Sequence, residues 1–189
     1  MTSLSAVKKL AAIILLAVAP AQAGDKLPWV FFDLGKTLID HNPDYTNMRY
    51  LPGTKDYIKS LKSRGFRLGI LINWPEEEGN SDAEKLALCK RFVLENWNNS
   101  APFDWDLFDA VFFPPKNIYR KPHPYLFQKA LKTAEPAAAV YQGENPGEIE
   151  AAKKAGMAAH RVVFFPEAGE KPAGYLSADE LLTLITREN

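Results

Sequence analysis

Trp29, Val30, Phe31 and Phe32 form an apolar run that stops at a single carboxylate, Asp33. Such a run of aromatic and β-branched residues, closed by a turn signal, predicts a buried strand, and burial on both faces is typical of parallel sheets. Comparable runs recur at 66–72, 109–113, 138–142 and 158–164. Helical signals fall between them. Pro52-Gly53-Thr54 predicts a helix to about Ser63, with Thr54 as its N-cap and Gly65 closing it. Ser81-Asp82-Ala83-Glu84 has the spacing of a capping box and predicts a helix to about Trp97. Further helices are predicted over 124–133, from Gly143 to Ala155, and after a second capping box at Ser177-Ala178-Asp179-Glu180. Residues 39–52 and 74–80 read as polar loops, and Glu76, Glu77 and Glu78 as a solvated face. Strands alternating with helices predict one α/β domain, a mostly parallel sheet of about five strands with helices on both faces.

The first residues do not fit this alternation. Lys8 and Lys9 precede an apolar run from Leu10 to Ala19, then Pro20 and Ala21-Gln22-Ala23. That order is expected of a secretory signal peptide over residues 1–23, leaving residues 24–189 as the domain. The run is too short to span a bilayer comfortably, so no stable membrane anchor is expected. An exported chain would lie in the periplasm if the source were Gram-negative. The whole length of 189 residues suits one such domain with a full core.

Charge changes the picture little. With 23 basic and 23 acidic side chains, no nucleic-acid footprint is present, and none is expected as a partner. Cys89 is the only cysteine, so no intrachain disulfide forms. Its helical spacing with Leu86, Phe92, Val93 and Trp97 predicts core packing.

Candidate chemistry starts at Asp33. A carboxylate at the C-terminal end of a parallel strand sits where open α/β sheets bind ligands, although an Asp also caps such turns. Three later segments bear on the choice. Leu68-Gly69-Ile70-Leu71-Ile72-Asn73 is a strand ending in Asn. Lys121-Pro122-His123-Pro124 places a Lys ahead of a helix. Gly143-Glu144-Asn145-Pro146-Gly147-Glu148-Ile149-Glu150-Ala151-Ala152, with Gly156-Met157, is a strand-to-helix turn carrying two acids.

Together with Asp33-Leu34-Gly35-Lys36-Thr37-Leu38, these segments resemble, in order, the four motifs of the haloacid dehalogenase-like superfamily. The resemblance spans residues 29 to 157. It implies a Rossmann-like core. The intervals 39–67 and 74–120 leave no room for the cap domain that many members carry, so the capless type is expected. A bulky or macromolecular substrate, or a lid supplied by a partner chain, would suit such an open site.

The resemblance also implies roles. Asp33 would attack phosphorus and become an aspartyl-phosphate. Lys121 would balance the charge of nucleophile and phosphate, acting in both catalysis and phosphate binding. Thr37 and Asn73 would support or contact the phosphoryl group; Asn73 equally suits closing the turn after its strand. Mg2+ would be held by Asp33, the carbonyl of Gly35, Glu144 and Glu148, though the two glutamates also suit a helix N-terminus. The expected substrate is a phosphorylated small molecule or macromolecule.

The departures from the pattern are as informative. Gly35 stands where the family's proton-donating Asp is usual, and its absence costs about 10²–10⁴ in rate. Ile72 stands where a hydroxyl is usual, and Lys36 where a Gly is. Family branches with a small residue at position 35 use a Lys from a cap domain, and the dehalogenase branch also carries a cap, so neither fits. Asp40, His41 and Asp44 lie just downstream, and a histidine there could stand in for the lost acid. Two expectations follow: a metal-dependent phosphoester hydrolase with impaired proton transfer, or an inactive protein of the same fold that binds a phosphorylated ligand or a protein partner.

Overall fold

The computed structural model describes residues 27–135 and 137–188. The signal peptide expected over residues 1–23 lies outside them. Five strands form one parallel sheet in the order β5-β4-β1-β6-β7: β1 (Trp29–Phe32), β4 (Arg67–Leu71), β5 (Ala110–Phe112), β6 (Ala139–Gly143) and β7 (Ala158–Arg161). The helices are α1 (Thr54–Ser63), α2 (Asp82–Glu95), α3 (Tyr125–Ala134), α4 (Pro146–Lys154) and α5 (Ala178–Glu188).

Side chains alternate across a strand, so β1 feeds two cores. Val30 and Phe32 join Ile58 and Leu61 of α1, Cys89 and Val93 of α2, and Leu181 of α5. Trp29 and Phe31 join Leu126, Phe127 and Ala130 of α3 with Ile149 and Ala152 of α4 on the other face. The sheet is covered on both sides, which explains why all four residues of β1 are buried.

Chain order and sheet order part company at one place. From β1 the chain moves outward through β4 to β5, then crosses back to β6 on the opposite side of β1. The crevice at the carboxyl ends of β1 and β6 is therefore the switch point where open α/β sheets bind ligands. Neither the interval between β1 and β4 nor that between β4 and β5 holds a separate domain. The first contains a small hairpin and α1, the second α2 and a short 3-10 turn at Trp105–Leu107.

Several local expectations are corrected. The stretch 39–52 is not all loop: β2 (Ile39–Asp40) and β3 (Arg49–Tyr50) pair antiparallel. Buried Ile39 and Met48 anchor this hairpin, and Asp40 sits opposite Arg49 in an ion pair at 2.8 Å. Thr54 does not cap α1. Gly53, at φ +75°, occupies the cap position, while Thr54 is buried inside the first turn and its hydroxyl meets that of Tyr175 at 2.8 Å. Glu76 and Glu77 are not merely solvated, because both accept hydrogen bonds from Asn117 across the crevice rim. Cys89 is buried as expected, and burial pushes its thiol up to about 12, which makes it unreactive.

Candidate active site

The site is built at the carboxyl ends of four strands, β1, β4, β5 and β6. Asp33 follows β1 directly, its N–H continuing the ladder to the carbonyl of Gln142 at 3.0 Å. Lys121 comes from the loop after β5, and its side chain is fully buried. Its Nζ lies 2.5 Å from Asp33 Oδ1 and 2.8 Å from Glu148 Oε2. Burial alone would favour the neutral amine, but the two carboxylates outweigh it and raise the ammonium above the usual lysine range. Lys121 is therefore a fixed positive charge facing Asp33.

Tyr141 completes this cluster. Its hydroxyl donates to Glu148 Oε2 at 2.6 Å and accepts from Lys121 Nζ at 3.0 Å. Burial, with Asp33 and Glu148 nearby, pushes the phenol far above its ordinary range, so it stays a neutral donor. Gly143 makes the geometry possible: a Cβ there would stand 2.7 Å from the Tyr141 hydroxyl. Tyr141 does not stand out in the sequence, since a tyrosine in an apolar strand signals only core. The small residue two positions on, which the ring lies across, was the available sign.

Asn73 holds the loop that carries the lysine. Its Oδ1 accepts from the Lys121 N–H at 2.7 Å and its Nδ2 donates to the Lys121 carbonyl at 3.0 Å. This bidentate clamp positions Lys121 from the end of β4. A longer contact at 3.4 Å links Nδ2 to Glu148 Oε1. Ile72 beside it is buried and offers no hydroxyl.

Glu144 and Glu148 divide on the turn into α4. Asn145 caps that helix, accepting from the N–H groups of Gly147 and Glu148, and Pro146 takes its first position. Glu148 is thereby held in the first turn, committed to Lys121, Tyr141 and Asn73. Glu144 accepts from the Thr37 hydroxyl at 3.1 Å. Thr37 is buried, and its carbonyl accepts from the Tyr175 hydroxyl, which fixes the turn after β1. Lys36, at φ +53°, bonds Asp40 at 2.6 Å and the carbonyl of His41 at 2.5 Å.

Among the described residues, no three Asp, Glu, His or Cys side chains gather as a metal cluster. Two carboxylates do come close. Burial, and then the charge of Asp33, raise the carboxyl of Glu144 to about 7. A divalent cation would relieve that repulsion. Magnesium usually binds through one or two carboxylates and keeps several waters, and the Asp33 and Glu144 carboxylates supply that donor chemistry. Beside Glu144 the surface opens into a cavity of about 400 Å³, lined in part by Lys36, Asp40, Arg161 and Phe165.

No family model matches the chain. A curated relative, glyceraldehyde 3-phosphate phosphatase of Pyrococcus furiosus, is 28% identical over 121 residues, covering 62% of this chain. The match spans only 43% of that relative's length. Among solved structures, a HAD phosphatase from Thermococcus onnurineus superposes with a TM-score of 0.56 at 17% identity, covering 84% of this chain and 98% of the other. D,D-heptose 1,7-bisphosphate phosphatase from B. bronchiseptica, solved with magnesium and phosphate, gives 0.54 at 16% identity, with 83% and 99% covered. The parallel sheet, its switch-point crevice and these superpositions agree: the chain has the haloacid dehalogenase-like fold, and the described residues hold no cap domain.

Proposed function

We propose that the protein is a phosphoester hydrolase of the haloacid dehalogenase-like superfamily, with Asp33 as its nucleophile. The observation that carries this reading is the buried Lys121 ammonium, 2.5 Å from Asp33 Oδ1 at the switch-point crevice. A carboxylate poised beside a fixed cation is suited to attack an anionic phosphoryl group, because the cation offsets the repulsion between them. Asp33 would form the aspartyl-phosphate, and water would then release phosphate. Lys121 would hold a phosphoryl oxygen throughout, with Asn73, Tyr141 and Glu148 fixing where its charge stands. The turn fixed by Thr37 would keep Glu144 beside Asp33. Asp33, the carbonyl of Gly35 and Glu144 would hold Mg2+, which neutralises charge on the phosphoryl oxygens when bound. The cavity beside Glu144 offers room for the leaving group, and the open crevice admits a bulky one.

Position 35 carries no proton donor, and Ile72 no hydroxyl, which favours a second reading: a protein that holds a phosphorylated ligand without turning it over. One experiment separates the two. The protein is assayed with magnesium against a panel of aryl and alkyl phosphoesters, beside Asp33→Asn. Hydrolysis that disappears in the variant is the expected result. Inactivity of both, with tungstate still bound, would leave the binding reading standing.

A further inference from the structure

Gly35 lacks a side chain, yet the space beside it is filled. A Cβ built at position 35 would stand 3.1 Å from His41 Nε2 and 3.7 Å from its Cδ2. The imidazole edge thus occupies the volume into which a longer side chain at 35 would project. Its orientation is fixed. Nδ1 lies 2.7 Å from the carbonyl of Asn42, and a carbonyl only accepts, so Nδ1 carries hydrogen. Nε2 is then the nitrogen left to give or take a proton, and it is the one directed at position 35.

The ring is also held in place. It stacks on Tyr45 with centroids 4.8 Å apart. The His41 N–H donates to Asp40 Oδ1 at 2.9 Å, and its carbonyl accepts from Lys36. The two neighbouring acids are poor candidates for the same task. Burial would raise the carboxyl of Asp40, but hydrogen bonds from Lys36 and Arg49 hold it below the ordinary range. The hydroxyl and N–H of Thr46 hold exposed Asp44 low as well. Neither keeps a proton to give at neutral pH.

We infer that His41 is the proton carrier of the hydrolysis, working from Nε2 in the space that a side chain at position 35 would fill. The inference rests on the phosphoester reading above. In the first step an Asp33 oxygen bonds to phosphorus, the bond from phosphorus to the leaving oxygen breaks, and that oxygen takes the Nε2 proton. The products are an alcohol, a phosphorylated Asp33 and a neutral imidazole. In the second step Nε2 takes a proton from water as its oxygen bonds to phosphorus. The bond from phosphorus to Asp33 breaks, releasing phosphate and restoring both groups.

The test compares wild type, Asp33→Asn, His41→Gln, His41→Ala and the double variant Gly35→Asp/His41→Ala. Glutamine keeps the size and polarity of the ring but exchanges no proton. Gly35 does not lie in the left-handed region, so an aspartate is accepted there once His41 is cut back. On an alkyl phosphate, His41→Gln should lose about 10²–10⁴ of the steady rate, the range for a general acid–base group. On nitrophenyl phosphate, whose leaving group needs no proton, His41→Gln should release a first-turnover burst like wild type and then stall. The double variant should regain alkyl phosphate hydrolysis over His41→Ala alone. If His41→Gln turns over like wild type, or loses burst and steady phases equally, His41 is not the carrier while the phosphoester reading stands. If wild type is as inactive as Asp33→Asn, both fall together.

Discussion

Glu144 shows how one side chain reports on the site. Its carboxyl is raised from 4.5 to about 7, by burial first and by the charge of Asp33 second. Between those values the folded protein binds more protons than the unfolded chain, so stability falls as pH rises. The contribution is present in full below about 4.5 and is lost as pH climbs through about 7. In chelator-treated protein, Glu144→Gln should therefore be close to wild type in acid and more stable than wild type at mildly alkaline pH. Urea unfolding of the pair at both ends of the range checks this; a difference that does not change with pH contradicts it. Asp33 was legible in the sequence as a carboxylate ending an apolar strand, whereas Lys121 and Glu144 stood out only through the motif resemblance, and the structure brings all three near one another. Tyr141 was hidden, since its ring is core and only its hydroxyl belongs to the site. His41 was visible as a nearby histidine, but nothing in the sequence aimed Nε2 at Gly35.

The elements carry the site through their ends. The turn into α4 sets Glu148 against Lys121 through the Asn145 cap, whose side chain accepts from the Gly147 N–H at 2.8 Å. Asn145→Ala should cost about 1 kcal/mol of stability, the usual worth of such a cap. A chevron or urea curve measures it, and an unchanged midpoint would show that the cap is not needed. The sheet and its helices were readable from periodicity, because a buried parallel strand has few alternatives once helices flank it. The hairpin of β2 and β3 was not. Its strands are two residues long, and they pair through the Asp40–Arg49 ion pair and the anchors Ile39 and Met48, which a run of polar residues conceals. Gly53 displaced Thr54 as the cap of α1 for a similar reason: Thr54 is worth more buried against Tyr175 than exposed at a helix end.

At the scale of the molecule, the fold sets a crevice between β1 and β6, and no separate domain among the described residues covers it. The described helices include none long and apolar enough to cross a membrane. Reaction in such a place depends on fixed charges within the crevice more than on exclusion of water from above it. Under the phosphoester reading, the buried lysine between two carboxylates serves that need. Whether Asp33 forms a bond to phosphorus is therefore the decisive question. Acid quenching of the protein during turnover, followed by mass measurement of the peptide that contains residue 33, answers it. A single phosphoryl group on Asp33 is the expected result. Hydrolysis that proceeds with that peptide unmodified, or with the label on another residue, would contradict it.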